Sequence, residues 1–362
     1  MLHIGLIGAG EIAQVAHLPM LRNLPDLYTV AGITDISKGL REAVQKRFAV
    51  QRSYESPEEM IASGDIDAVM VLTADPYHCE YTVKALEAGK HVFVEKPAAM
   101  NSADIRRMMA AEKNSRGIAM VGYMRRYAGP FLKAKELLLE NKRTVNYLRC
   151  QDIIREGDFY LGQTSHTYTS QDFSDLPKGS GEHLARLKRE QHSAALGEDA
   201  SDLQRNVFQM LLGLGCHTLS AVRELVGEPR SVAHVLTSRG GTHLVALLQY
   251  DGFIATYELI NDQAVVGFDA AIEVFQGDRK IKIKYETPYI RFQPQSLEVI
   301  DSTQSDTKTI HYGPDYRDAF ETELRIFHDC ATRGVRPKTS LEDALADLLL
   351  YERMAVMAQG EI

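Results

Sequence analysis

The chain has 362 residues, 44% hydrophobic and 25% charged, the proportions of an ordinary globular protein rather than a disordered or membrane-embedded one. That length exceeds what one domain usually takes, so two are expected. With 41 Lys and Arg against 49 Asp and Glu, the net charge of -8 gives no electrostatic case for nucleic acid, and a small molecule is the expected partner.

Cys79, Cys150, Cys216 and Cys330 are far apart and form no Cys-x-x-Cys pair, which points away from structural zinc and from a disulfide framework. The amino terminus enters an apolar strand without a basic region or cleavage site, and no apolar run has the length of a membrane span. The sequence therefore reads as a cytoplasmic protein with no membrane partner.

Residues 2–7 form a continuous apolar run of strand length, followed at once by Gly8-Ala9-Gly10-Glu11-Ile12-Ala13 and a helix-like stretch. This is the G-x-G-x-x-A form of the dinucleotide fingerprint in its strand, turn, helix setting. Gly8 permits the tight turn, Gly10 lets the backbone approach a pyrophosphate at the positive end of the helix, and Ala13 keeps that helix close to the sheet. A second strand, 28–34, ends in Asp35, where the fingerprint calls for an acid on the adenosine ribose hydroxyls. An acid there repels a 2′-phosphate and favours NAD, whereas Lys38 and Arg41 just beyond it leave NADP open. Asp35 also stands where it can cap the helix that starts near Lys38.

The alternation continues with a short strand at 50–54, a helix from Pro57, a strand at 67–73, a helix at 77–88, a fifth strand from Gly89, a helix at 102–115 and a sixth strand at 118–122. Six strands alternating with helices predict an α/β fold, a doubly wound parallel Rossmann sheet over residues 1–123. In the usual strand order the fourth lies beside the first, which brings Thr73-Ala74-Asp75-Pro76 next to the glycine turn. The fifth ends in Glu95-Lys96-Pro97, an acid, a base and a helix breaker at the carboxyl end, where such sheets bind ligands.

The glycine fingerprint, Thr73-Ala74-Asp75 with His78, Ala88-Gly89-Lys90-His91-Val92 leading into Glu95-Lys96-Pro97, and Val121-Gly122-Tyr123-Met124-Arg125-Arg126-Tyr127 follow one another in this order. Together they resemble the glucose-fructose oxidoreductase, inositol dehydrogenase and MocA family, closely over the nucleotide domain and more weakly beyond it. The resemblance implies an NAD(P)-dependent dehydrogenase or reductase acting on the CH–OH group of a sugar, a cyclitol or their derivatives.

Past Tyr127 a helix-like run at 130–140 leads into a strand at 144–155, and alternating segments follow at 231–238, 243–250, 254–259, 271–275, 280–285 and 296–300. Strands in succession with few helices between them suggest a largely antiparallel open sheet, so residues 124–362 read as an α+β domain for substrate and oligomerisation. In the resembled family one face of such a sheet lies toward the active site and the other often serves oligomerisation, which implies a homodimer or homotetramer. Phe320, Leu324, Phe327 and Cys330 at helical spacing, and the loop Pro337-Lys338-Thr339-Ser340, predict two terminal helices. Residues 156–206 are a polar insert, read as an irregular lid or an arm with a charged helix starting near Arg186. Its His166, His183 and His192 are too scattered for a helical metal pair, and no metal is expected.

Residues 207–226 read as one long helix interrupted by Gly213 and Gly215. In the resembled family this helix carries Asp-x-Gly-x-His, with the histidine as general acid and base. Gly215 and His217 match that pattern, and Gly213 stands at the aspartate position. An aspartate one turn before the imidazole would orient it, so His217 is expected to be a weaker base here, with Gln209 as a neutral stand-in for the lost contact. By the same resemblance Lys96 and His217 carry the catalysis. Lys96 donates a charged hydrogen bond to the reacting oxygen and stabilises the developing alkoxide, while His217 exchanges the hydroxyl proton. Cofactor contacts are expected from Gly8, Gly10, Glu11, Ile12 and Asp35, from Thr73, Ala74, Asp75 and His78, and from Glu95, Lys96 and Arg125. Arg126, Tyr127, Gln209 and His217 are expected on the substrate, a polyol, sugar or sugar acid. Arg125 and Arg126, adjacent on an extended segment, are expected to face opposite ways. The departure at Gly213 and the insert keep open a second reading, a non-catalytic NAD(P)-binding sensor or scaffold on the same fold.

Overall fold

The computed structural model describes residues 1–140, 143–265 and 267–360. The chain divides into two compact units. The first comprises Met1–Tyr123, Ser165–Glu198 and Phe320–Leu348, and the second Met124–Thr164, Asp199–Ala319 and Leu349–Ile362.

In the first unit β1 (Leu2–Ile7), β2 (Tyr28–Thr34), β3 (Arg52–Ser53), β4 (Ala68–Val71), β5 (His91–Glu95) and β6 (Ala119–Gly122) form an all-parallel sheet in the order β3-β2-β1-β4-β5-β6. Every residue of β4 and β6 is buried, as expected of strands covered on both faces. A π-helical turn at Ala13–His17 runs into α1 (Leu18–Arg22), and α2 (Lys38–Phe48), α3 (Pro57–Ala62), α4 (His78–Glu87) and α5 (Ser102–Lys113) complete the alternation. The cap of α2 is Ser37, whose hydroxyl accepts from the Leu40 N–H, so the capping role considered for Asp35 falls to its neighbour.

The chain continues through α6 (Gly129–Glu140), β7 (Tyr147–Ile154), α7 (Asp158–Thr164), a 3-10 turn at Ser170–Asp172, α8 (Ser180–Leu196) and α9 (Asp202–Met210). The polar insert is thus mostly helical rather than irregular. Only His192 of α8 is buried, so the helix shows no apolar stripe by which its extent could be read. A π-helical turn, Leu211–Gly215, joins α9 directly to α10 (Cys216–Val226), and the expected interruption at the two glycines is this widening of a continuous helix.

In the second unit β7 is joined by β8 (Ser231–Ser238), β9 (His243–Tyr250), β10 (Phe253–Asn261), β11 (Phe268–Gln276), β12 (Arg279–Tyr285), β13 (Gln295–Ser302), β14 (Thr307–Asp315) and β15 (Ala358–Gln359). The order is β14-β13-β12-β11-β7-β10-β9-β8-β15, antiparallel except for the parallel pairs β7 with β10 and β8 with β15. Leu148, Tyr257, Leu259, Ile272, Val274, Ile281 and Ile283 bury its inner face. The terminal helices are α11 (Ala319–Arg333) and α12 (Leu341–Val356). Among the described residues no helix is long and apolar enough to cross a membrane.

Candidate functional site

The first unit gathers its chemistry at the carboxyl ends of β1, β2, β4 and β5. Gly8 follows β1 with φ +107°, and a Cβ there would lie 2.5 Å from the carbonyl oxygen of Leu72, beyond the end of β4. Only glycine lets the two central strands approach this closely. At Gly10 a Cβ would meet nothing within 4 Å, so the turn opens onto space on the side where the first helix presents its amides. Asp35 closes the far side. Its Oδ2 accepts from Ala9 N at 2.8 Å and its Oδ1 from Ser37 N at 2.9 Å. Burial pushes this carboxyl above its ordinary range, partly offset by those two N–H groups. The Thr73 hydroxyl, just past β4, is buried without a hydrogen-bond partner among the described residues. Open space at Gly10, a fixed carboxylate at Asp35 and an unsatisfied hydroxyl at Thr73 fit a dinucleotide: phosphates on the turn, ribose on the acid. Glu11 and Ile12 open the helix that follows, and Asp75 begins the 3-10 turn Asp75–Tyr77 after the half-buried Thr73 and exposed Ala74.

His78 is buried, with Nδ1 2.7 Å from the Pro97 carbonyl oxygen and Nε2 3.0 Å from that of Thr73. It thereby ties the end of β4 to the peptide that follows Lys96. Glu95 is buried at the end of β5. Its Oε1 lies 2.7 Å from His17 Nε2, and its Oε2 accepts from Lys96 N at 3.0 Å. Gly122 on neighbouring β6 leaves it room, since a Cβ there would stand 3.3 Å from Glu95 Oε1. Burial pushes the Glu95 carboxyl up, but the bond to His17, the Lys96 ammonium and the Lys96 N–H together outweigh it and hold the group below its ordinary value. Lys96 is half-buried on the next residue.

The second unit holds the rest. Met124–Tyr127 is a buried 3-10 turn, not the extended segment expected, so the opposed facing of two arginines does not apply. Arg125 Nη1 donates to Asp152 Oδ1 at 2.5 Å and to Thr218 Oγ1 at 2.6 Å, and Tyr257 OH donates to Asp152 Oδ2 at 2.9 Å. The Arg125 guanidinium also lies 5.0 Å from the Tyr285 ring centre. Arg126 Nε donates to Glu224 Oε2 at 2.6 Å, and Lys135 Nζ reaches the other oxygen of Glu224 at 2.9 Å. Tyr127 is buried. His217 is half-buried in the first turn of α10, next to the Thr218 that Arg125 holds, and Gln209 is half-buried near the end of α9. The two glycines between them differ. A Cβ at Gly213 would meet nothing within 4 Å, whereas one at Gly215 would stand 3.1 Å from Tyr257 OH and 3.0 Å from Leu211 Cδ2. Among the described residues no group of three or more His, Cys, Asp or Glu side chains is arranged to hold a metal ion.

Residues 2–123 match the model of an oxidoreductase family with an NAD-binding Rossmann fold, GFO_IDH_MocA. The match covers the residues of the parallel sheet and its helices. Residues 2–123 are thus similar to an NAD-binding oxidoreductase domain. The chain is 26% identical to myo-inositol 2-dehydrogenase of Thermotoga maritima, over 96% of this chain and 94% of that protein. It is 37% identical to inositol 2-dehydrogenase of Klebsiella pneumoniae over 38% of this chain and 41% of that protein. KijD10, a 3-ketoreductase from Actinomadura kijaniata, has a crystal structure in complex with NADP that matches 99% of this chain and 98% of its own with a TM-score of 0.73 at 18% identity, a likeness of fold.

Three site residues escape sequence reading. His17 lies one turn beyond the fingerprint alanine, Asp152 is the one acid of a strand that also holds Arg149 and Gln151, and Asp175 is one of several acids in the polar insert. Asp152 carries a signal, since it shares a strand face with the apolar Leu148, Cys150 and Ile154. Asp175, one acid among several, carries none.

Proposed function

We propose that the chain is an NAD-dependent oxidoreductase that moves a hydride between the nicotinamide and a secondary alcohol or carbonyl of a sugar, cyclitol or sugar acid. The observation that carries this reading is Lys96 at the end of β5, in the same sheet as the glycine turn, following a glutamate held on both oxygens. Relatives named inositol 2-dehydrogenase and 3-ketoreductase support the substrate class. Bound NAD supplies the hydride acceptor. Lys96 donates to the reacting oxygen and stabilises negative charge on it, and His217 exchanges the proton. Glu95 orients the lysine, and Arg125, braced between Asp152 and Thr218, fixes the helical turn that presents His217. All four cysteines are buried and none is in a disulfide, which fits a reducing, cytoplasmic setting.

The test follows nicotinamide absorbance with NAD against a panel of polyols, aldonates and uronates. Turnover on at least one is expected, and Lys96→Ala should lower it by about 100-fold or more while NAD affinity stays within a few-fold. A specific observation favours a second reading, the absence of a carboxylate at Gly213, which suits a non-catalytic sensor. Tight NAD binding with no turnover on any panel member would establish that reading instead.

A further inference from the structure

The polar insert docks on three parts of the dinucleotide cradle within the first unit. At the first helix, Gln14 Nε2 donates to the Tyr168 carbonyl at 2.8 Å and Gln14 Oε1 accepts from Tyr168 N at 2.9 Å. Beyond β4, Gln191 Nε2 donates to the Pro76 carbonyl at 2.8 Å. At the start of α2, the Phe173 ring packs so closely on Gly39 that a Cβ there would fall 2.5 Å from it. Asp175 then follows Ser174, whose left-handed φ of 50° turns the chain. Its Oδ1 accepts from the Ser37 hydroxyl at 2.5 Å and its Oδ2 from Gly39 N at 2.7 Å. Those two donors hold the exposed carboxyl below its ordinary range, so it is charged at neutral pH.

A hydroxyl and a backbone N–H in the first turn of a helix are the donors that take a phosphate, and here they stand two and four residues after the ribose acid Asp35. A 2′-phosphate on that ribose would find both donors occupied by a carboxylate and a second carboxylate beside them. Of the nearby cations, exposed Lys38 lies 3.8 Å from Glu42, and buried Arg41 reaches the Glu55 carbonyl at 3.5 Å while its charge also acts on Asp35. We propose that Asp175, delivered by the insert, is a second determinant of nucleotide choice, which excludes NADP by taking the phosphate-binding donors at Ser37 and Gly39. This rests on the reading of the glycine turn and Asp35 as the dinucleotide cradle.

The test is calorimetric titration of the full chain with NADH and with NADPH, for the wild type, Asp175→Asn and Asp175→Ala. The asparagine keeps an acceptor for Gly39 N–H and removes the charge, so docking of the insert survives. The wild type should bind NADH at least about 100-fold more tightly than NADPH, and Asp175→Asn should raise NADPH affinity by about tenfold or more with NADH changed less than about threefold. Asp175→Ala should move the ratio in the same direction. A ratio unchanged in both variants, or equal gains for both nucleotides, would mean that Asp175 only anchors the insert, and the proposal fails while the cradle stands. Wild type that binds neither nucleotide removes the cradle itself, and the proposal with it.

Discussion

Glu95 is the residue on which the first unit concentrates the most opposed forces. A carboxylate this deeply buried is unstable unless its charge is met, and it is met by the His17 ring, the Lys96 N–H and the Lys96 ammonium. His17 is itself buried, edge-on to Phe93 and Phe320 at 5.3 and 5.5 Å between ring centres, so the imidazole has little freedom to turn away. Because the folded carboxyl sits below its ordinary value of 4.5, its pairing contributes stability in full above about pH 4.5 and loses it as pH falls through the lower folded value. Glu95→Gln should therefore unfold in urea with a deficit of about 2 kcal/mol at pH 6, and the deficit should shrink as the titration is repeated at pH values descending below 4.5. A deficit that stays constant or widens over that descent would show that the charge of Glu95 is not what the pairing stabilises. The position of Asp35 and Glu95 at strand ends is legible from sequence, because the alternating α/β pattern places the ends of β2 and β5 there. Ala9 and His17 meet them only once the sheet order is set, whereas Lys96 is simply the residue after Glu95.

At the scale of elements, legibility followed burial pattern. β8 and β9 run over the residues expected of them, and their burial alternates residue by residue along most of each strand. β14 escaped because none of its residues is buried, so no period-two signal exists, and β15 is two residues long. The joined helix α9–α10 shows what sequence could say only in outline: two glycines marked an irregularity, but not which of them the packing demands. Gly215 has ordinary helical angles, φ -58° and ψ -29°, yet a methyl there would press on Tyr257 and Leu211. Tyr257 holds Asp152, which holds Arg125, which holds Thr218 beside His217. Gly215→Ala should therefore destabilise by about 1–3 kcal/mol through overpacking and lower turnover further through the displaced turn. Gly213→Ala, with open space around it, should be neutral or stabilising by up to about 1 kcal/mol because alanine is the better helix former. Urea midpoints of the pair decide the matter, and equal stability of the two variants would refute the packing role given to Gly215.

For the whole molecule, the second unit's sheet bears on assembly. On β12, β11, β7 and β10 its outer face is a charge ladder: Lys282 faces Glu273 at 3.2 Å, Glu273 pairs in register with Arg149, and Arg149 reaches Glu258 at 3.3 Å. Toward β10, β9 and β8 the same face turns apolar. Leu236 and Val245 oppose each other in register and Ile254 opposes Gln249, and the three apolar side chains are 45%, 47% and 51% exposed. The inner face of these strands is already apolar, with Leu244, Ala246, Leu248, Ala255 and Tyr257 buried, so this end of the sheet departs from the one-dry, one-wet alternation of a solvated antiparallel sheet. A second copy that covers Leu236, Val245 and Ile254, with the charge ladder as its polar rim, is the arrangement expected of a homo-oligomer through this sheet. Sedimentation should give the wild type the mass of a dimer or tetramer and the Val245→Lys, Ile254→Lys double variant that of a monomer with unchanged NADH affinity. A wild type that sediments as a monomer at about 10 μM, a concentration at which interfaces of standard size are formed, would rule the assembly out.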